Sequence, residues 1–235
     1  MSVYSQNALR QIHRFGNLTA LTTSELLVSS RAYVEQGSQA QRSVKSTSSQ
    51  DNPAGTGAKV VRIVYLDSNY VQHTEDVTLN GVTGVNTVGT DIRFIEEFFV
   101  IQGAAAVGAL QLMTTTGGGG SEFCGIPSVT TQAFLCHHYV PAGKMAYLLD
   151  WGASTNDEAN FKLLGQAIYN GNRVDNVQDL FNLTAGNPTP PTNIRFDRLM
   201  PTPLPIGEKC YIRATVVPIQ ATSTIIRAYF DLWEE

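Results

Sequence analysis

The stretch 59–81, KVVRIVYLDSNYVQHTEDVTLNG, commits the chain to β-structure before anything else is considered. Its first half, 59–66, is rich in β-branched and aromatic residues, which suit a pleated, half-buried surface. Asp67-Ser68-Asn69 supplies turn formers whose side chains bond to nearby backbone. Beyond them Val71, His73, Glu75, Val77 and Leu79 fall on one face at a two-residue period. Asn80-Gly81 closes the unit with a strong hairpin signal, because a type I′ turn needs positive φ twice in succession. A β-hairpin leading straight into a second turn is expected. It carries no catalytic chemistry.

The residues after the hairpin continue the pattern. Ile92, Phe94, Phe98 and Phe99 mark a strand over 91–101, interrupted at Glu96-Glu97, and 107–113 gives a short strand. The glycine run that ends at Gly120 reads as a flexible loop; it lacks the Lys-Ser/Thr ending and following helix of a phosphate-binding loop. Segments 133–140 and 144–153 read as a strand pair around Pro141-Ala142-Gly143, with Met145, Tyr147, Leu149 and Trp151 alternating with Ala146, Leu148 and Asp150. Segment 161–169 is a further strand ending in the turn Asn170-Gly171-Asn172, and 176–183 is ambiguous between strand and helix. Prolines on both sides force extended or turn backbone around a short strand at 194–199. Two clean alternating strands close the chain, one through Cys210, Ile212, Ala214 and Val216, the other through Ile226, Ala228, Phe230 and Leu232. So many strands, roughly ten to twelve, with frequent turns predict an all-β fold: an antiparallel β-sandwich, jelly-roll-like.

The first part of the chain is poorer in apolar residues. Segment 8–15 has the pattern of a short amphipathic helix, and 42–48 that of an edge strand, since Lys45 and its flanking serines suit an edge. Residues 1–57 are therefore expected to be an extended N-terminal docking arm, with 58–235 as the β-sandwich body. On that reading, deletion of 1–55 leaves a folded body.

Several function classes are disfavoured. The net charge of −4 argues against a general nucleic-acid binder, which needs a basic face. No apolar run is long enough to span a bilayer, and the N-terminal residues lack a secretory core, so no membrane partner is expected. Cys124, Cys136 and Cys210 have no CxxC spacing and read as free, buried thiols of a protein made in a reducing cytoplasm. Only 15% of residues are charged, so the surface must be covered by neutral polar side chains or by partner subunits.

No chemistry-bearing constellation emerges. His137 and His138 are adjacent and would point to opposite faces of a strand, so they cannot chelate one metal. Asp157-Glu158, with Asn156 and Asn160, lacks the glycine-bearing spacing of a calcium loop. Glu96 and Glu97 diverge on a strand, whereas a glycosidase needs two carboxyls facing one cleft. Neither a GxSxG elbow nor an HExxH pair is present. The expectation is a non-enzyme with no catalytic residues, no cofactor and no metal. A receptor- or glycan-binding surface would show exposed Trp and Tyr beside carboxylates; Trp151, Tyr147 and Tyr169 are the candidates, with core packing as the competing use.

The succession 54–81, AGTGAKVVRIVYLDSNYVQHTEDVTLNG, then GVNTVGTDIRFIEEFFVI, then HHYVPAGKMAYLLDWGAS, resembles a family of tailed-bacteriophage virion structural proteins. The matching motifs are Ala54 to Val61, Thr78 to Val85, Pro141 to Leu148 and Pro203 to Pro205, and the likeness runs from about residue 44 onward. They are strand and turn signals. The resemblance implies a non-enzymatic virion component of the head decoration or tail-associated type, most specifically a capsid decoration, cement or head–tail-associated protein. It further implies a homo-oligomer, with a trimer as the leading state, and partners among the major capsid protein or tail components. The location implied is the virion, assembled in the host bacterial cytoplasm. The alternative is a tail fibre or other receptor- or glycan-binding virion protein.

Overall fold

The computed structural model describes residues 10–18, 25–31, 33–34, 38–155, 161–169, 177–185, 194–218 and 225–235. In chain order the strands are β1 (Arg10–Leu18), β2 (Leu26–Leu27), β3 (Ser43–Ser46), β4 (Ala58–Leu66), β5 (Gln72–Thr78), β6 (Val85–Asn86), β7 (Phe94–Gly103) and β8 (Leu110–Met113). They continue as β9 (Glu122–Ile126), β10 (His137–Tyr139), β11 (Ala146–Thr155), β12 (Phe161–Tyr169), β13 (Val177–Ala185), β14 (Ile194–Ile206), β15 (Cys210–Pro218) and β16 (Ile226–Glu234). Among the described residues the only helical element is a 3-10 turn at Thr116–Gly118, and no helix is long and apolar enough to cross a membrane. The expected all-β, antiparallel class is therefore what the chain adopts.

The strands form two compact units, one from Met1–Val28 with Cys136–Glu235, the other from Ser29–Leu135. In the first, the sheets run β1-β16-β11-β14 and β10-β15-β12-β13, with β2 added beside β15. Setting β2 aside and counting strands along this unit, the sheets read first-eighth-third-sixth and second-seventh-fourth-fifth. That is the jelly-roll order of two interlocked Greek keys. Most sequential strands lie in opposite sheets, so the ladders join residues far apart in the chain. The two inner faces share one core that includes Leu148, Trp151, Phe161, Leu163, Ile212, Val216, Phe230 and Leu232. Each large apolar side chain buried there contributes about 1.5–3 kcal/mol.

Local chemistry shifts several expectations in this unit. In place of the helix expected over 8–15, the described part, Arg10–Leu18, is a strand paired with β16 along its length, with Ile12, Arg14 and Gly16 turned inward. Gly16 is required there, because a Cβ would stand 1.9 Å from the Val28 carbonyl oxygen. β10 and β11 are not a pair: β10 bonds to β15 and β11 to β14 and β16, so the 141–143 turn passes between sheets. A bulge between Leu148 and Asp150 changes the phase of β11. Ala146 and Leu148 point inward before it, and Trp151 and Ala153 after it, where a strict two-residue period would have put Trp151 beside Tyr147. The ambiguous 176–183 segment is strand β13, and the strand expected at 194–199 runs on through Pro201, Pro203 and Pro205 as the edge strand β14. An edge tolerates proline because one row of its N–H groups has no ladder partner. The turn expected at 170–172 lies outside the described residues.

The second unit holds the hairpin. β4 pairs β5 in the register Val60 to Thr78 through Leu66 to Gln72, as the sequence predicts. Asp67 Oδ1 accepts from the Asn69 and Val71 amides across the turn. A turn does follow at Asn80-Gly81, but only Gly81 has positive φ, +59°, so it is not the expected type I′; it spans Asn80 to Thr83, closed by the Thr83 amide on the Asn80 carbonyl. The sheets run β5-β4-β7 and β6-β3-β8-β9, and both contribute to one core through Val61, Ile63, Phe98, Leu110, Leu112 and Phe123. β3 is not an edge strand but lies between β6 and β8, with Val44 fully buried. β7 is continuous, and Glu96 is accommodated as a bulge between the Val64–Glu97 and Tyr65–Ile95 pairs. The glycine run is tied down: Gly117 N–H donates to Asn86 Oδ1, Gly118 N–H to Ser43 Oγ, and Lys45 Nζ to the Gly118 carbonyl.

The segment expected as a separate arm supplies β1 and β2 to the first unit and β3 to the second. The expected boundary at 57/58 falls at the start of β4, inside the second unit. Asp51 explains why. Its buried carboxylate accepts from the Ser46 hydroxyl and from the amides of Ala58, Val107 and Gly108, sewing the 48–57 loop to the starts of two strands. A segment held by its polar groups needs few apolar residues of its own.

Candidate functional site

The histidine pair and the glutamate pair, to which the sequence gives no catalytic or metal role, lie in different units. His137 and His138 are buried in β10, paired with Arg213 and Ile212, and so face opposite ways. His138 Nε2 lies 2.9 Å from Glu234 Oε2, and its Nδ1 lies 3.5 Å from Arg14 Nη2. Donation from Nε2 and acceptance at Nδ1 satisfies both contacts, which fixes the tautomer by the network. This trio bonds β1, β10 and β16 through the interior and is structural. Glu96 and Glu97 lie in the other unit, Glu96 buried and Glu97 half-buried. Asp157 and Glu158 fall outside the described residues. Among the described residues no group of three or more His, Cys, Asp or Glu is arranged to hold a metal.

Cys124, Cys136 and Cys210 are buried free thiols. Burial is the main cause that pushes all three up, Cys210 to about 12. Thiols so far from ionising are poor nucleophiles.

Of the three aromatic candidates, Trp151 is core, lying on Phe181 of the opposite sheet. Tyr169 is half-buried, and its hydroxyl lies 3.3 Å from Gln178 Oε1. Tyr147 is different, because it faces away from the core on the outer side of the β1-β16-β11-β14 sheet. The ladder registers build that face in rows: Phe15 with Tyr229, then His13 with Asp231 and Asp150, then Gln11 with Trp233 and Tyr147. Their neighbours Ile12, Leu232 and Leu148 point the other way into the core. Trp233 is 40% exposed, and Phe15, Tyr229 and Tyr147 are half-buried.

Polar groups sit between these rings. His13 Nδ1 lies 2.6 Å from Asp231 Oδ1, with the His13 ring 5.8 Å from that of Tyr229. Tyr147 Oη donates to Glu235 Oε1 at 2.7 Å, and that hydrogen bond raises the phenol above its usual range. Asp150 stands directly opposite Asp231 across the ladder. Like charges in that position are destabilising, so the pair is not explained by the fold. The face thus offers flat aromatic surface interleaved with acceptors. Sequence reading found Tyr147 but missed Trp233, Tyr229, Asp231 and His13. The β16 alternation placed Tyr229 and Asp231 on the face opposite Phe230, yet nothing local says that β1 and β11 flank them.

No family profile and no curated protein matches the sequence. Among solved structures, the chain is similar to that of infectious bursal disease virus Gt strain at 11% identity and a TM-score of 0.19, over 96% of this chain and 70% of that one. The 2.6 Å structure of T=1 particles derived from the same virus gives 12% identity and a TM-score of 0.20, over 97% and 69%. Its VP2 subviral particle gives 10% identity and 0.20, over 97% and 71%. Superpositions this slight bear on neither fold nor role, and the reading rests on the strand order and the surface.

Proposed function

We propose that this chain is a non-enzymatic structural component of a bacteriophage virion, a capsid decoration or cement protein or a head–tail-associated one, acting through subunit contacts. The observation that carries the reading is the jelly-roll strand order of the first unit. That architecture recurs in capsid and lectin domains, and the warrant is analogy of fold, joined to the sequence resemblance. The form proposed is a homo-oligomer, a trimer, bound to the major capsid protein or to tail components in particles assembled in the host bacterial cytoplasm.

The test is to raise antibody to the purified chain and label gradient-purified particles. Regularly spaced label on heads or at the head–tail junction supports the reading, and particles that lack the protein refute it. Sedimentation equilibrium of the purified chain checks the trimer.

A second reading, a receptor- or glycan-binding tail protein, is favoured by one observation: the outer face where Trp233 and Tyr147 lie beside Asp150 and Asp231.

A further inference from the structure

We infer that the outer face of the β1-β16-β11-β14 sheet binds neutral saccharides, with Trp233, Tyr147 and Tyr229 as stacking surfaces and Asp150 and Asp231 as hydrogen-bond acceptors. This deepens the glycan-binding reading by assigning it a site and a ligand class, and it holds wherever on a particle the chain is placed.

The chemistry of the face selects the ligand. A pyranose has a C–H face and a rim of hydroxyl donors. The rings of Trp233 and Tyr147 share one row of this sheet face, with Tyr229 on the far side of the intervening Asp231 row, and match the first feature. Carboxylate oxygens are acceptors, and Asp231, with Asp150 through the oxygen other than its buried Oδ1, matches the second. Two carboxylates opposed across a ladder break a local rule of sheet stability, which is expected where a site needs them, and hydroxyl donors placed between them relieve the repulsion. His13 engages Asp231 on one side only, through Oδ1.

Charge narrows the class further. Among the described side chains Asp150, Asp231 and Glu235 outnumber Arg227 and His13 on this face, which disfavours sialylated, uronic or phosphorylated glycans. Stacking on one sheet face puts single-site dissociation constants in about the millimolar range, and many copies on one particle would raise avidity without new contacts.

The chain suits a direct measurement, because it has two tryptophans and the other one, Trp151, is buried against Phe181. Maltotriose, cellotriose and chitotriose are titrated into the full chain while tryptophan emission and saturation-transfer NMR are followed. The expected result is a saturable response to at least one of them. In Trp233→Ala and Asp150→Asn that response weakens by at least about tenfold, and in Arg62→Ala, in the other unit, it is unchanged. Circular dichroism confirms that each variant is folded, and Asp231→Asn replaces any variant that is not.

Two results overturn the inference. One is the absence of a saturable response to all three sugars, or a response unaltered in Trp233→Ala. The other is concentration-dependent self-association that Trp233→Ala abolishes in a chain that binds no sugar, which makes the face a contact between copies. Neither result touches the virion reading, which the particle-labelling experiment decides.

Discussion

Trp151 lies flat on Phe181, with ring centroids 4.0 Å apart and planes 6° from parallel. Trp151 comes from β11 and Phe181 from β13, so this single stack joins the two sheets of the jelly roll. Gly165 of β12 makes room for it, since a Cβ there would stand 2.1 Å from the Phe181 ring. Trp151→Ala is expected to cost about 3–5 kcal/mol by leaving a cavity. Gly165→Ala is expected to destabilise the same core by displacing the ring. Urea unfolding followed by circular dichroism checks both, and an unchanged midpoint in either variant contradicts the packing argument.

Asp51 gives a pH dependence. Burial pushes its carboxyl up, but the hydrogen bonds from the Ser46 hydroxyl and the Val107, Gly108 and Ala58 amides outweigh burial and hold it below the usual value. A folded-state pKa below the unfolded one, about 3.9, means that the stabilisation is complete above that unfolded value. It is lost as pH falls through the folded one. Asp51→Asn presents an NH₂ to backbone donors on one side or the other, and is expected to cost about 3 kcal/mol. It should also flatten the acid limb of the stability profile below about pH 4. An acid limb as steep as that of the parent chain rules out Asp51 as its source.

Arg42 is the largest fully buried side chain of the second unit. Its guanidinium donates to the carbonyls of Thr114, Ser38 and Ile92 and lies 4.5 Å over the Phe123 ring. A compact ammonium has neither the fork nor the flat face for this arrangement. Arg42→Lys is therefore expected to lower stability by about 2 kcal/mol, the loss of one or two charged hydrogen bonds. Thermal unfolding is the measurement, and a neutral effect would show that the carbonyl cage is not selective.

The thiols should be silent in the native chain. With Cys124, Cys136 and Cys210 buried and shifted upward, the thiolate fraction at neutral pH is negligible. An aromatic disulfide reagent is expected to release no chromophore from the folded protein and three equivalents after denaturation without reductant, matching the three cysteines of the sequence. One equivalent on denaturation would mean a disulfide.

Truncation separates an arm from an integral segment. Deletion of 1–55 removes β1, β2 and β3, along with Asp51. β1 covers the full length of β16, and Val28 and Val44 are fully buried. The truncated chain is expected to be insoluble or to lack a cooperative transition. A soluble, cooperatively unfolding product would restore residues 1–57 as an arm separate from the body.

Sequence alone determined the strands with clean alternation and some of their turns. Alternation in β4, β5, β12, β15 and β16 is a local property, written at a two-residue period that a half-buried sheet enforces on every member. The Asp67 turn and the place of a turn at Asn80-Gly81, though not its type, were legible for the same reason: their chemistry acts within a few residues. Tertiary structure decided the partners. In a jelly roll most neighbours are distant in sequence, so nothing near Pro141 announces that β10 and β11 separate into different sheets. The bulge beside Leu149 then reversed the phase of β11, sending Trp151 to the core and leaving Tyr147 outside. A one-residue insertion moves every later side chain to the opposite face. The aromatic and acidic face exists only because β1, β16 and β11, drawn from opposite ends and the middle of the chain, lie side by side in one register.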